Sequence, residues 1–331
     1  LYTPRTILIT GGTGSWGQAA TRYFLKHTDA TIRIYSRSEH LQLDMAHALS
    51  GDEQRLRFFL GDIRDVERLR WAMRGVDTVF HAAALKHVHK GENDPAEFVH
   101  TNVNGTMNVI AACIDTGVKR AVLLSTDKAV APVNLYGSTK MTAEKLWIRA
   151  NSYSPHGTHF SAVRYGNVAG SRGSVIPLWR TQIRTGQSVR VTDLSMSRFW
   201  ISLDEAVRLA WFSVTRARRG TLLIPHLPAY TMSDLLQALC ELEGISPITM
   251  EYIGVRPGEK MHEELMTNDE AQRMAYVFHE NALYYSIEPL APSWEVAVPS
   301  AYCTIGEPYV SSTWQYRFTV EDLIDHIQET V

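Results

Sequence analysis

Cysteine is scarce in this chain of 331 residues: Cys113, Cys240 and Cys303 are the only three, odd in number and widely spaced. They fit neither a disulfide framework nor a zinc-ligand pattern, and are expected as reduced, buried thiols. Long apolar runs are missing, since none approaches the roughly 18 residues of a membrane span. The first residues also lack the basic-then-apolar order of a signal peptide, so the expected location is the cytoplasm, with no membrane partner. Neither sign of charge is in excess: 33 Lys and Arg face 35 Asp and Glu, for a formal net charge of −2. A nucleic-acid binder would show a basic stripe, so nucleic acid is not an expected partner, and anionic ligands must be met by local groups. Internal repeats and low-complexity tracts are absent too, which excludes a fibrous or disordered chain.

What remains is a soluble enzyme's composition, 45% hydrophobic and 21% charged, at a length that commonly divides into two lobes. Short β-branched runs at 6–10, 32–35, 57–60, 78–81, 121–125 and 159–164 alternate with amphipathic helical segments. Apolar strands without period-two alternation, separated by helices, predict a parallel sheet covered on both faces with right-handed crossovers. The expected fold is a Rossmann-type doubly wound α/β sheet with a smaller α/β lobe. After Tyr165 the alternation breaks and prolines accumulate, so residues 1–165 are expected as the first domain and 166–199 with 227–331 as the second lobe. Ser202-Leu203-Asp204-Glu205 reads as the start of a capped helix and 221–224 as one more strand, which would return 200–226 to the first domain. Trp71, Trp147 and Trp211 sit in helical patterns and are expected in the core.

The first chemical motif is Thr10-Gly11-Gly12-Thr13-Gly14-Ser15-Trp16-Gly17, between a strand and a helix. Gly11 permits the tight turn, Gly14 lets a pyrophosphate approach the backbone, and Gly17 packs helix closely on strand, with the helix N-terminus facing the anion. This makes the first domain a dinucleotide-binding one. After the second strand, where an acidic residue would hold the ribose of NAD, stand Ser36 and Arg37. A guanidinium there favours the 2′-phosphate of NADP, whereas Glu39 nearby keeps NAD open as a second choice. Asp62 and Ile63 after the third strand are candidates for the adenine, and Ala82 and Ala83 after the fourth for the space beside the cofactor.

Tyr136 and Lys140 share a helix face at i, i+4, following a strand that ends at Ser125. A neighbouring ammonium and an oxidised nicotinamide would lower the tyrosine's pKa from about 10 and make the phenolate a base. Ser125-Thr126-Asp127-Lys128 adds an acid and a base that a simple dehydrogenase would not need, which points to oxidation coupled to loss of water. His81, His87, His89 and His100 match no standard ligand spacing, and no metal is expected.

Together these segments, with 35–37, 57–62, 81–88, 164–177, 198–201 and 256–259, resemble the extended short-chain dehydrogenase/reductases and, among them, the nucleotide-sugar dehydratases. Most of all they resemble the UDP-N-acetylglucosamine 4,6-dehydratases that invert C5. The resemblance fades after about Ala271. It departs at His89-Lys90-Gly91-Glu92-Asn93 and at Trp16, where phenylalanine is usual. Lys128 stands where dTDP-glucose dehydratases carry glutamate, and Tyr136 where long retaining relatives carry methionine.

The resemblance implies Tyr136 as base at the C4 hydroxyl, Thr126 at the C4 oxygen, Lys128 as base at C5 and Asp127 as acid at C6. That scheme needs Lys128 with a lowered pKa and Asp127 with a raised one. It further implies Thr101 and Val168 beside the cofactor, and Lys86, Asn167, Arg172, Val175, Arg198 and Arg256 against UDP-N-acetylglucosamine. A homo-oligomer, dimer or hexamer, serving pseudaminic acid or N-acetyl-L-fucosamine routes, completes the expectation. A UDP-hexose 4-epimerase would share fold, cofactor and Tyr136/Lys140 but not need Asp127 and Lys128. A retaining 4,6-dehydratase, or a binding protein that keeps the cofactor without turnover, would also fit parts of the pattern.

Overall fold

The computed structural model describes residues 2–154, 156–171, 173–246, 248–280, 282–289 and 308–330. The first half alternates strands β1 (Thr6–Thr10), β2 (Thr31–Ser36), β3 (Leu56–Leu60), β4 (Thr78–His81), β5 (Arg120–Leu124) and β6 (His159–Val163) with helices. These are α1 (Ser15–His27), α2 (Glu39–Ala48), α3 (Val66–Met73), α4 (Val88–Asn93), α5 (Pro95–Phe98), α6 (Gly105–Thr116) and α7 (Leu135–Arg149). The second half runs through β7 (Asn167–Val168), α8 (Val175–Arg184), β8 (Val189–Val191), β9 (Ser197–Ile201), α9 (Leu203–Arg216) and β10 (Leu222–Pro225). It continues with β11 (Ala229–Thr231), α10 (Met232–Glu243), β12 (Met250–Tyr252), β13 (Glu264–Met266), α11 (Asn268–Ala271), β14 (Met274–His279), β15 (Ala282–Ile287), β16 (Tyr309–Val310) and α12 (Val320–Thr330).

Among the described residues the main sheet has nine strands in the order β14-β15-β10-β6-β5-β4-β1-β2-β3. From β3 to β10 every pair is parallel. Its central strands are apolar on both faces because helices cover both: Ile7, Leu8, Ile9, Val79, Phe80, Val122 and Leu123 are fully buried. The order reverses between β1 and β4, which opens a crevice at the carboxyl ends of the strands, and this is where such sheets bind ligands. Ser202 caps α9 in a reciprocal box with Glu205.

A second core, made by Ile176, Trp179, Val191, Trp200, Leu239 and Leu323, joins α8, α10 and α12 around short strands. The hairpin β14–β15 does not belong to it. It lies within the 227–331 stretch expected in the smaller lobe, yet β15 pairs antiparallel with β10 and extends the large sheet. That pairing is long-range, and no local pattern announces it.

Trp147 is buried, with its indole N–H donating to Ser161 O at 2.8 Å. Trp211 is half-buried against Phe24. Trp71 corrects the expectation: it is 60% exposed, with the Arg74 guanidinium over its ring at 4.3 Å. The inward positions of α3 are Leu69, Ala72 and Met73, and at 3.6 residues per turn position 71 points away from them. Cys113 is buried, Cys240 only half-buried, and Cys303 lies outside the described residues. Among the described residues no helix is long and apolar enough to cross a membrane.

Candidate active site

A cavity of about 740 Å³ occupies the crevice, and its walls include most of the residues singled out from the sequence. Gly11 has φ +67°, and a Cβ there would meet Ala83 N at 2.8 Å, so the loop passes directly over β4. A Cβ on Gly17 would strike the Gly12 backbone. α1 starts after Gly14 with no side-chain cap, which leaves its first-turn amides to an anion. Thr13, Ser15 and Trp16 complete this side of the cavity.

At the end of β2, Ser36 is fixed by Gln42, whose amide donates to Ser36 Oγ at 3.0 Å and to Phe59 O at 3.0 Å. Gln42, buried on α2, carried no signal in the sequence. Arg37 is 53% exposed and lies 3.8 Å from Asp62, whose carboxylate is also held by Arg64 at 2.7 Å. Ile63, Ala82, Ala83 and Thr101 line the cavity, Asp62 does not, and the Thr101 hydroxyl is buried with no partner. The glycine cradle, the uncapped helix and this orphaned hydroxyl fit a nicotinamide dinucleotide.

His81 is not a ligand. Its ring is shared between the Thr10 and Thr106 hydroxyls at 2.7 and 3.0 Å. Burial, helped by the Lys140 ammonium, pushes its pKa down to about 3, so it is neutral.

The candidate reacting groups come from the end of β5 and from α7. Asn134 caps α7 by accepting from Gly137 N at 2.8 Å, and Glu92 accepts from Leu135 N at 2.7 Å. The segment 89–93, which departs from the family pattern, thus holds the start of the helix that carries Tyr136. Gly137 packs directly on Lys128 O, where a Cβ has no room. Tyr136 and Lys140 both face the cavity. Lys140 Nζ donates to Leu124 O at 2.7 Å, and burial pulls its pKa down to about 8.

Burial pushes the Tyr136 phenol up to about 12, against the pull of the Lys128 ammonium and the Thr126 hydroxyl. The expected lowering is therefore not supplied by these side chains alone. The ammonium that acts on the phenol is that of Lys128, because Lys140 is turned to the main chain.

Asp127 is fully buried. Its Oδ1 accepts from Thr126 Oγ1 at 2.7 Å, from Lys128 N at 2.9 Å and from Lys128 Nζ at 3.1 Å, while Oδ2 has no partner. Burial drives its pKa upward, as an acid at this position requires. Lys128 goes the other way from the expectation. Burial would lower its pKa, but Asp127 and Glu263, each 3.1 Å from Nζ, together raise it. Glu263 was not identified from the sequence; it lies 135 positions further along the chain and has no motif spacing to Lys128.

Of the expected substrate contacts, Lys86 and Asn167 line the cavity, joined by Ser171 and by Val168, which was expected beside the cofactor, and Asn167 Oδ1 is buried without a partner. Val175 packs on the second core. Arg198 is buried outside the cavity wall, donating to Ser197 O at 2.8 Å and Met261 O at 3.1 Å. Arg256 is exposed, in a turn whose Gly258 O accepts from Asn134 Nδ2 at 2.7 Å. Arg172 lies outside the described residues.

Residues 7–283 match the family model described as polysaccharide biosynthesis protein. A protein of Campylobacter jejuni subsp. jejuni serotype O:2 named UDP-N-acetylglucosamine 4,6-dehydratase (inverting) is 44% identical over 292 residues, 87% of this chain and 84% of that one. A Rickettsia akari protein named UDP-glucose 4-epimerase is 43% identical over 275 residues, 82% of this chain and 80% of that one. The X-ray structure of Pen from Bacillus thuringiensis has a TM-score of 0.88 at 37% identity and covers 99% of both chains. The Rossmann-like fold, the extended short-chain dehydrogenase/reductase motifs and the match over most of the length agree: the chain belongs to the polysaccharide biosynthesis protein family.

Proposed function

We propose that this enzyme is an NADP-dependent 4,6-dehydratase of UDP-N-acetylglucosamine that inverts C5. The observation that carries the reading is that Thr126, Asp127 and Lys128 share one cavity with Tyr136 and Lys140. A redox pair alone would serve an epimerase; the buried acid beside an amine serves an elimination. The name of the Campylobacter relative supports the same activity.

When bound, the oxidised dinucleotide accepts hydride from C4 and later returns it to C6. Tyr136 Oη, as the phenolate that the positive charge of a bound oxidised dinucleotide would favour, takes the C4 hydroxyl proton, and the Thr126 hydroxyl, which gives its one proton to Asp127 Oδ1 in the resting site, turns to donate to the C4 oxygen. Lys128 Nζ then removes the C5 proton while Asp127 gives a proton to the departing C6 hydroxyl. The ion pair seen at 3.1 Å already holds the proton this needs. Passed from Nζ to Oδ1, that proton converts ammonium and carboxylate into amine and carboxylic acid, with none drawn from solvent. A solvent-derived proton added to C5 from the opposite face, balanced by loss of the C4 hydroxyl proton from Tyr136, gives UDP-2-acetamido-2,6-dideoxy-β-L-arabino-hex-4-ulose, a precursor for amino-sugar glycans. Lys86 and Asn167 are assigned to the sugar and Val168 to the cofactor, which their places on the cavity wall support; Arg172, Val175, Arg198 and Arg256 are assigned to the sugar nucleotide by resemblance. A homo-oligomer is the proposed assembly.

Incubation with UDP-N-acetylglucosamine in deuterated water tests the reading in one proton spectrum. Dehydration with deuterium at C5 and the L-arabino product is expected. A C4 epimer would replace the proposal with the activity named for the Rickettsia relative, retention at C5 with a retaining dehydratase, and no change with a binding role.

Cofactor choice rests on Arg37. Arg37→Ala is expected to raise the KM for NADP about 10- to 100-fold, the worth of a charged hydrogen bond, with little effect on NAD. Equal loss on both cofactors would remove the 2′-phosphate assignment.

A further inference from the structure

Glu263 lies just ahead of β13 and is 2% exposed. Its main chain is clamped to Ser311 in both directions: Glu263 N donates to Ser311 Oγ at 2.9 Å, and Ser311 N donates to Glu263 O at 2.9 Å. Ser311 Oγ in turn lies 2.8 Å from Ser197 Oγ. From this fixed base the carboxylate reaches Lys128 Nζ with Oε1 at 3.1 Å and Arg198 Nε at 4.0 Å, while Oε2 is buried with no partner. A buried carboxylate with half its acceptor capacity unused is costly unless a cation opposes it. Here the cation is the side chain that must act as base.

We propose that Glu263 is the positioning residue for Lys128, holding Nζ between two carboxylates and strengthening it as a base by opposing the ammonium that forms when the C5 proton is captured. The inference rests on the dehydratase reading above. Two carboxylates flank one amine, and their tasks differ. Asp127 exchanges a proton with Lys128 and with the substrate. Glu263 stays charged, because Lys128 and Arg198 hold its carboxyl low even though burial alone would raise it. Without Glu263, Nζ would have only Asp127 as a close carboxylate among the described residues, and the new ammonium would form in a site with little to stabilise it.

The pH dependence of dehydration reports this directly. The active cluster holds one proton shared between Asp127 and Lys128, and activity is lost at high pH when that proton leaves. The groups that face Lys128 are Asp127, Glu263, Arg198, Lys86, Tyr136 and Tyr230, with Lys260 acting on Glu263. Removing the Glu263 charge lowers the pH at which Lys128 gives up its proton, so the alkaline limb must move down. An opposite charge at this distance is worth a displacement of about 1–3 pH units.

The test compares wild type with Glu263→Gln, following C5 deuterium exchange and product formation across pH, with reduced cofactor measured separately by absorbance. Expected are slower elimination, an alkaline limb lower by about 1–3 pH units, and formation of reduced cofactor from C4 oxidation that is retained. Glu263→Asp, which keeps the charge but draws it back by one methylene, should place the limb in between, and it carries the test if the glutamine variant does not fold. An unmoved limb, or equal loss of oxidation and elimination, would overturn the inference and leave Glu263 a structural ion-pair partner. A wild type that dehydrates nothing would instead remove the dehydratase reading itself.

Discussion

Lys128→Ala should lower dehydration about 10²- to 10⁴-fold, the usual contribution of a positioned base, while the protein still binds the dinucleotide. Exchange of the C5 proton with deuterated solvent should fall in parallel. The turn that carries Lys128 is held by main-chain bonds: Asp127 N to Tyr165 O at 3.0 Å, Ala129 N to Thr126 O at 3.1 Å and Val130 N to Asp127 O at 3.0 Å. Truncating the side chain leaves all three intact, so the turn keeps its path, although two buried carboxylates lose a cation and some stability goes with it. The cofactor cradle, built on β1 and α1, is not touched. Asp127 and Glu263 lose their shared cation in this variant, and the buried Asp127 becomes easier to protonate. The acid therefore survives and only the base is missing. Dehydration that continues undiminished would remove Lys128 from the mechanism.

Arg164→Ala should destabilise the fold by about 3–5 kcal/mol, because it leaves two buried carboxylates without their cation. The guanidinium meets Glu144 at 2.7 Å and Glu270 at 2.9 Å, and also donates to Leu265 O at 2.9 Å. All three side chains are almost wholly out of solvent. Urea denaturation measures the loss, and adding Glu144→Gln and Glu270→Gln to the variant should recover part of it. Recovery is expected because the uncompensated charges, not the missing arginine volume, are the larger cost.

The same node gives the protein an acid limit. Burial alone would raise the Glu270 carboxyl, but Arg164 holds it at about 2. A folded pKa below the ordinary 4.5 means stability that is complete above that value and lost as pH falls toward 2. The difference amounts to about 3 kcal/mol. A Glu270→Gln variant should show a flatter stability profile across that window, and a profile as steep as wild type would contradict the assignment.

How much could be read in advance depended on how far each signal reached along the chain. The glycine loop was legible because its constraints are local: Gly11 and Gly17 are required by contacts within one strand-turn-helix unit and the strand beside it. Tyr136 and Lys140 were legible from helical spacing, and Ser202 from its reciprocal cap with Glu205. Glu263 was not, because its approach to Lys128 depends on β13 pairing with β16 and on Ser311. The hairpin β14–β15 escaped for the same reason, since its place in the large sheet is decided by β10. Trp71 shows a different limit: helical periodicity places a residue on a helix, but the choice of buried face comes from what packs against it. The protonation states of Lys128 and Tyr136 also followed from neighbours that no motif contains.

The short turn at Thr126–Lys128 has a consequence for descent. Its path is set by main-chain bonds to β6's continuation at Tyr165 and by the close seat of Gly137 on Lys128 O, neither of which depends on what residues 127 and 128 carry. Architecture and reaction are therefore separable here. A change of sugar chemistry on the same backbone would then fall on residues 127 and 128 together with Glu263, whose buried carboxylate answers Lys128.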